Sequence, residues 1–314
     1  MSFEPVDVTQ PLPRKLDIPI IDMHCHTRGR RNSALMIKAA RRFGIVKLVA
    51  ICRLHEVGKL KKWFGDLLAY NVWLDYSARN DPPCFVKTNV KLVRDAARAG
   101  VRCVKFWYKP QFNAEFGFYF DDWRLDPVFE AMVEHGLPAL VHIADPDIWW
   151  KSHYHDPQRY EAKTFTYRQL TNTLGRYPDM KVLAPHMGGD PEHLDHLSEL
   201  LARYPNFCLD TSGTKWVARE LSVKPQEARD FFIRWADRMM FGSDLVAFDH
   251  ADLQHHCSRY WVHQFMYEQD GVVRSPIEDA DAGGPVYLSG LDLPEGVLRR
   301  LYWDNAVEFF RLDV

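Results

Sequence analysis

The strongest constraint on the fold is the alternation of short apolar, β-branched runs with helical patterns along nearly the whole chain. This alternation is typical of repeated β-α units, which build a parallel sheet. Eight strands are predicted, at Ile18–Thr27, Val46–Leu54, Cys84–Asn89, Val101–Tyr108, Pro138–Ala144, Lys181–His186, Phe207–Thr211 and Arg238–Asp244. Eight consecutive units predict an α/β fold of the (β/α)₈ TIM-barrel type, over about residues 18–312.

Amphipathic patterns between the predicted strands indicate the helices. They lie at Ala34–Phe43, Glu56–Leu68, Lys91–Ala99, Asp126–His135, Tyr167–Tyr177, Glu192–Arg203 and Pro225–Trp235, with helical sequence again from Leu253. Gly100 and Gly136 end two of them, as expected for a residue that readily adopts the left-handed conformation. No proline- or glycine-rich linker interrupts the series, so a single domain over residues 1–314 is predicted.

Three connections are long for an α/β unit: residues 109–125, 145–166 and 270–294, after strands four, five and eight. Loops of this length are often functional. The first two follow the carboxyl ends of their strands, where barrel enzymes place their active sites.

Charge and cysteine content limit the class of partner. The chain has 40 basic and 42 acidic residues, a net charge of −2 and no long run of one sign, which argues against binding to nucleic acid or to a membrane surface. No segment has the length of a membrane span, and the first residues lack a signal-peptide pattern. The six cysteines lie far apart without a CxxC pair, which is typical of free thiols in the cytoplasm.

A histidine pair ends the first predicted strand. In the run Asp22-Met23-His24-Cys25-His26, alternation places Asp22, His24 and His26 on one face of the strand. Two imidazoles then point together, either as metal ligands or as two hydrogen-bonded histidines. An HxH triplet alone is weak, and its position at the end of an apolar strand strengthens it.

Other polar residues stand at the ends of later strands. The fifth strand ends in His142, the sixth in Pro185-His186-Met187-Gly188-Gly189, and the eighth in Asp244. Because the carboxyl ends of barrel strands meet on one face, these side chains favour the metal interpretation of the histidine pair.

With these motifs in place, the chain resembles the amidohydrolase superfamily, in the amidohydrolase-related branch that includes aminocarboxymuconate-semialdehyde decarboxylase and several lactonases. The resemblance spans about residues 18–312. It rests on DMHCH, VHIAD, APHMGG, YPNFCLDTSG, FGSDL and YWDNAVEFF, which occur in the order of the family.

The resemblance implies a mononuclear metal site. His24, His26, His142 and Asp244 would bind one divalent metal, with Zn²⁺ as the first choice and Mn²⁺ or another divalent ion as alternatives. Asp244 would also accept a proton from the attacking water, because a metal with an open position makes water acidic. His186 would carry a second proton from outside the ligand shell, or else serve as a further imidazole ligand.

Lys105 is more ambiguous. Alternation groups it with Cys103 and Trp107 on the fourth strand, so its side chain is expected to face the barrel interior. A carboxylated Lys105 would bridge two metals, as in other branches of the superfamily. The alternatives are a buried, paired lysine and a contact with an anionic substrate.

The loops suggest a small anionic substrate. Arg28, Arg30 and Arg31 follow the histidine pair, and guanidinium groups suit carboxylates. Aromatic residues crowd the loops after strands four and five, beginning with Trp107 and Tyr108. They would line a pocket for a planar ring, pack under a lid, or form the interface of a homodimer. Arg28, Lys105, Trp107 and Tyr108 are the predicted substrate contacts.

Three functions are consistent with these features. The first is a metal-dependent hydrolase that opens a lactone or amide of a carboxylate-bearing substrate. The second is a metal-dependent decarboxylase of an aromatic or unsaturated acid. The third is a barrel that has lost activity and serves as a scaffold, against which the full set of ligand residues argues.

Overall fold

The computed structural model describes residues 6–314. The strands are β1 Ile20–His26, β2 Ile45–Cys52, β3 Leu68–Trp73, β4 Cys103–Trp107, β5 Ala139–His142, β6 Val182–Ala184, β7 Phe207–Asp210, β8 Met239–Met240, β9 Leu245–Val246, β10 Val272–Arg274 and β11 Tyr287–Ser289. The helices are α1 Arg30–Arg42, α2 Val57–Phe64, α3 Pro82–Arg98, α4 Pro110–Phe116, α5 Asp126–Glu134, α6 Asp147–His153, α7 Lys163–Arg176, α8 Leu194–Arg203, α9 Thr214–Val223, α10 Pro225–Arg234, α11 Leu253–Glu268, α12 Glu295–Arg299 and α13 Asn305–Phe310.

The sheet follows the chain strand by strand. Its hydrogen-bonded order is β8-β7-β6-β5-β4-β3-β2-β1-β9. The outermost strands, β8 and β9, are separated only by residues 241–244, so together they form one interrupted eighth strand. This order confirms the predicted α/β fold of the TIM-barrel type. The long loop after the eighth strand carries a separate antiparallel hairpin, β10-β11.

The predicted third strand, Cys84–Asn89, is wrong. This segment lies in α3, and the third strand is β3. The Asp81 carboxylate caps the helix by accepting a hydrogen bond from the Cys84 amide at 3.2 Å, and prolines occupy the first two helical positions. The buried side chains of α3 recur at helical spacing: Phe85, Asn89, Val93 and Ala96. Tertiary burial of this face therefore outweighs the β-branched and aromatic composition of the segment.

The chain divides into two compact units. Among the described residues, one comprises 6–50, Leu60–Leu68 and Asp210–Val314, and the other Ile51–Lys59 and Ala69–Leu209. The first contains β1, β8, β9 and α11, and the second contains β4, β5, β6 and α3. The organisation of residues 1–314 as a single domain stays a prediction. Within residues 6–314, no helix combines the length and the apolar character needed to traverse a bilayer.

A neutral histidine is buried in the first unit. His256 lies on α11, which packs against α1, and its side chain is fully buried. Burial, together with the positive charges of His255 and Arg259, lowers its pKa to about 4 against a smaller opposing effect of Asp252. An unfolded histidine titrates near pH 6.5. Between these two values, the unfolded chain binds a proton here that the folded protein does not.

The free energy of unfolding should therefore fall as the pH drops from about 6.5 to about 4, because protons then favour the unfolded state. We expect His256 to account for a loss on the order of 2–3 kcal/mol over this interval. The measurement is urea unfolding at several pH values for the wild type and His256→Asn. His135→Asn, which changes an exposed histidine, is the control and should keep the wild-type slope. An equal pH dependence in His256→Asn and the wild type would contradict this assignment.

Candidate active site

The histidine pair and Asp244 come together in the first unit. His24 and His26 alternate on β1, and Asp244 follows β8 directly before β9. The Asp244 Oδ1 atom lies 3.3 Å from His24 Nε2 and 3.0 Å from His26 Nε2. The two ring centroids are 5.4 Å apart. Strand pairing accounts for this approach, because the amide of Asp244 donates to the carbonyl of His24 at 2.8 Å.

This donor set fits a divalent metal. Two imidazole nitrogens and one carboxylate oxygen, each from a different residue, lie within 4.8 Å of one another. In a tetrahedral zinc site with bonds of about 2.0 Å, neighbouring ligand atoms stand about 3.3 Å apart. The distances from Asp244 Oδ1 to the two histidine nitrogens have this size. The residues can therefore hold a metal with little rearrangement.

The second nitrogen of His24 contacts a buried carboxylate. Asp210, at the end of β7, accepts a hydrogen bond from His24 Nδ1 at 2.8 Å, and both side chains are fully buried. Ser212 supports the carboxylate, since its amide and its hydroxyl both donate to Asp210 Oδ1. Sequence reasoning did not assign Asp210 a role. The only available signal was its place in the LDTSG motif at the end of a strand.

Asp22 lies beneath the same cluster. Its carboxylate accepts hydrogen bonds from the amides of His24 and Ser243, from the Ser243 hydroxyl at 2.6 Å and from the Tyr260 hydroxyl at 2.8 Å. Burial raises the pKa of Asp22, and these hydrogen bonds lower it in part. The aspartate thus ties β1 to the residues that precede Asp244.

Asp244 has an unusual backbone. Its φ of 57° lies in the left-handed region, where few residues other than glycine occur. Just before it, Gly242 meets β1 so closely that an added Cβ would stand 2.8 Å from His24 Cβ. Only glycine allows the chain to pass the strand here and present Asp244 to the histidines.

His142 and His186 form a second arrangement, in the other unit. Their ring centroids are 4.9 Å apart in an edge-to-face contact. His142 Nε2 donates to Asp145 Oδ1 at 2.8 Å, and Asp145 also accepts from the Tyr154 hydroxyl at 2.8 Å. Burial raises the pKa of Asp145, but the interaction with His142, the positive charge of Lys109 and the hydrogen bond from Tyr154 outweigh this effect, so the pKa lies well below its usual range.

The groups of metal-binding side chains found among residues 6–314 do not include His142 or His186. Their assignment as ligand and proton carrier therefore stays a prediction. His186 is buried and, like Asp244, has a left-handed backbone, with φ of 58°.

A further group of acidic residues is explained by an ion-pair network. Asp147, Asp190, Glu192 and His193 offer atoms within 4.8 Å of one another. The ammonium of Lys163 lies 2.9 Å from Asp147, 2.7 Å from Asp190 and 3.1 Å from Glu192. A lysine thus already supplies the positive charge that this group requires.

The predicted substrate residues differ in exposure. Arg28 is exposed, with its guanidinium 5.1 Å from the ring centroid of Phe248. Lys105 is buried, with its ammonium 5.9 Å from the centroid of Trp73. Trp107 is 39% exposed, whereas Tyr108 is fully buried. The rings packed against Tyr108 are Phe106, Phe112 and Phe120. Part of the aromatic segment after β4 therefore belongs to the core, and the four substrate contacts stay predictions.

Fold and site together define an α/β barrel protein with a metal-binding donor set at the end of its first strand. The chain belongs to the amidohydrolase family, whose sequence model, described as Amidohydrolase, matches residues 71–312. This range includes His142, His186 and Asp244, and the match confirms the family predicted from the motifs. It also confirms the prediction of an amidohydrolase-superfamily enzyme. The sequence matches no curated protein.

Solved structures share the fold at low identity. The chain is similar to 5-carboxyvanillate decarboxylase from Novosphingobium aromaticivorans, complexed with manganese and a nitrobenzoic acid, at 15% identity over 94% of this chain and 97% of that one, with a TM-score of 0.56. It is similar to 4-oxalomesaconate hydratase from Rhodopseudomonas palustris, at 15% identity over 93% and 95%, with a TM-score of 0.56. It is also similar to dihydroorotase from Campylobacter jejuni, at 15% over 94% and 84%, with a TM-score of 0.56.

The close approach of Gly242 to His24 yields a test of the packing behind the cluster. Gly242→Ala should lower the free energy of unfolding by about 1–3 kcal/mol, because the new methyl group overlaps His24 Cβ. Gly284→Ala is the matched control, since its Cβ would meet no atom within 4 Å. The measurement is urea unfolding of the two variants and the wild type. Equal stability of both variants would show that the backbone at Gly242 can move away without cost.

Proposed function

We propose that this protein is a metal-dependent hydrolase that opens a lactone or amide of a small, carboxylate-bearing substrate. The observation that carries the proposal is the cluster of His24, His26 and Asp244, whose ligand atoms have the spacing of a metal site. Membership of the amidohydrolase family supports it. The proposal also includes a homodimer and a cytoplasmic location. The location is supported by the six cysteines, which form no disulfide within residues 6–314.

The proposed ligands are His24, His26, His142 and Asp244. The first three supply neutral imidazoles and the last a carboxylate, a set that suits zinc and other divalent first-row metals. Zn²⁺ is the first candidate, and Mn²⁺ is the alternative because similar structures contain manganese. When bound, the metal would act as a Lewis acid and make water acidic enough to ionise near neutral pH.

The chain's own residues would handle protons and charge. Asp244 has a second carboxylate oxygen, which would accept a proton from the attacking water. His186 would pass a proton to the leaving group, since imidazole can titrate near the working pH. Its ring packs edge to face on His142, which limits its freedom of movement.

Substrate recognition would rely on the loops at the carboxyl ends of the strands. The exposed guanidinium of Arg28, which follows His26 after one residue, would bind the substrate carboxylate. Lys105 would add positive charge from a buried position, and Trp107 would offer an exposed ring for planar substrates. Tyr108 would act from within the aromatic cluster, by supporting the wall of the pocket.

Decarboxylation of an aromatic or unsaturated acid is the second candidate. The similar structures include decarboxylases of 5-carboxyvanillate and of 2,6-dihydroxybenzoate. A related site in this chain would hold the carboxylate at the metal and donate a proton to the carbon that loses carbon dioxide. His186 and Asp244 are the candidate proton donors.

The purified protein should contain about one equivalent of divalent metal, and chelation should abolish its activity. Asp244→Asn should lower kcat/KM by at least about 100-fold, because it removes both a charged ligand and a proton acceptor. Metal content by mass spectrometry and turnover of a substrate found by screening provide the measurements. Asp237→Asn, at an exposed carboxylate just before β8, should match the wild type. A wild type without stoichiometric metal would refute the proposal.

Product analysis separates the two candidate reactions. A panel of carboxylated lactones and hydroxylated benzoates is incubated with metal-replete protein, and ring opening and carbon dioxide are followed together. Hydrolysis predicts ring opening with uptake of one water molecule and no gas. Release of one carbon dioxide per turnover would instead establish the decarboxylase and exclude simple hydrolysis.

A further inference from the structure

Two of the three proposed ligand imidazoles carry a buried aspartate on one ring nitrogen. In the first unit, His24 Nδ1 donates to Asp210 at 2.8 Å. In the other unit, His142 Nε2 donates to Asp145, also at 2.8 Å. The side chains of Asp210 and Asp145 are 0% and 1% exposed. A buried carboxylate needs strong donors, so each pair is held firmly.

We propose that Asp210 and Asp145 are positioning residues that fix the tautomer and the ring orientation of His24 and His142. The inference rests on the proposed function, in which these histidines are metal ligands. A ligand imidazole must present a lone pair on one nitrogen, and a carboxylate that accepts from the other nitrogen secures this tautomer.

For His24, the hydrogen bond assigns the proton to Nδ1. The lone pair then lies on Nε2, the nitrogen that stands 3.3 Å from Asp244 Oδ1. Ser212 restrains the carboxylate, because its amide donates to Asp210 Oδ1 at 2.8 Å. The bond therefore directs the ligand nitrogen of His24 towards the cluster.

For His142, the assignment is reversed. Nε2 donates to Asp145, so the lone pair lies on Nδ1. The Tyr154 hydroxyl donates to the second oxygen of Asp145 at 2.8 Å. Gly189 packs directly against the backbone that precedes Asp145, because an added Cβ at Gly189 would stand 2.1 Å from the Ala144 carbonyl oxygen. Asp145 thus has little freedom to leave the histidine.

Two other histidine–aspartate contacts have more exposed imidazoles. His193 contacts Asp147 at 3.0 Å and His196 contacts Asp190 at 2.7 Å, but these imidazoles are 53% and 36% exposed. Their aspartates also bind Lys163. The burial of both partners distinguishes the pairs at His24 and His142 from these two contacts.

The test combines two measurements on Asp210→Asn and Asp145→Asn. Histidine-selective ¹⁵N NMR of metal-free protein reports the tautomer of each ring, with resonances assigned by their loss in His24→Ala and His142→Ala. Competition with a chelator gives the affinity for Mn²⁺ and Zn²⁺. Glu268→Gln is the control, because it neutralises a buried carboxylate that binds Arg14 and Tyr302 rather than a histidine.

We expect the wild type to show His24 protonated at Nδ1 and His142 at Nε2. Each Asp→Asn variant should populate both tautomers of its own histidine and lose about 10–100-fold in metal affinity. Glu268→Gln should keep both properties, and near-ultraviolet circular dichroism verifies folding. Ser212→Ala removes a hydroxyl that donates to Asp210 and lies 3.0 Å from His24 Nδ1, but it keeps the carboxylate, so it should lower affinity by a smaller factor.

The outcomes separate this inference from the proposed function. A wild type that binds neither metal would overturn both. Tight binding by the wild type, with unchanged tautomers and affinity in Asp210→Asn and Asp145→Asn, would overturn only the positioning role. An equal loss of affinity in Glu268→Gln would also overturn it, because the effect would then reflect general destabilisation.

Discussion

The buried carboxylate of Asp22 holds together the part of the barrel on which the candidate site depends. It accepts four hydrogen bonds, from the His24 amide, from both donors of Ser243 and from the Tyr260 hydroxyl. A carboxylate with no partners would be costly at this depth, and these donors offset much of the cost. Because the donors come from β1, from the segment before Asp244 and from α11, this one carboxylate joins the strand of the histidine pair to the segment that carries Asp244.

Most of the fold could be predicted because the signal is local and repeated. The strands that end in His26, His142 and Asp210 each stand out as apolar runs followed by polar residues. The third strand could not be identified from such a pattern. Leu68–Trp73 contains a buried tyrosine and Asn71 and adjoins a helical pattern, whereas Cys84–Asn89 has strand-like composition. Only the cap at Asp81 and the tertiary burial of α3 decide between them.

The candidate site was predictable to the extent that strand ends determine it. Alternation on β1 and the convergence of strand ends brought His24, His26 and Asp244 together in advance. The partners on the other ring nitrogens were not predictable, because a hydrogen bond such as His24–Asp210 spans 186 residues and depends on how two strand ends are aligned. Three of the four donors to Asp22 belong to Ser243 and Tyr260, which lie 221 and 238 residues away in the sequence, so they could not be predicted either.

The two proposed proton carriers, His186 and Asp244, have backbone conformations that lower the stability of the folded protein. Among residues 6–314, only five residues other than glycine have positive φ, and His186 and Asp244 are two of them. Such conformations cost on the order of 1 kcal/mol each and persist only where the surroundings impose them. At Asp244 the constraints are the hydrogen bond to the His24 carbonyl and the close passage of Gly242 along β1. A regular strand would continue past the two histidines. The interruption between β8 and β9 instead lets the backbone turn at Asp244, so that its carboxylate points towards His24 and His26.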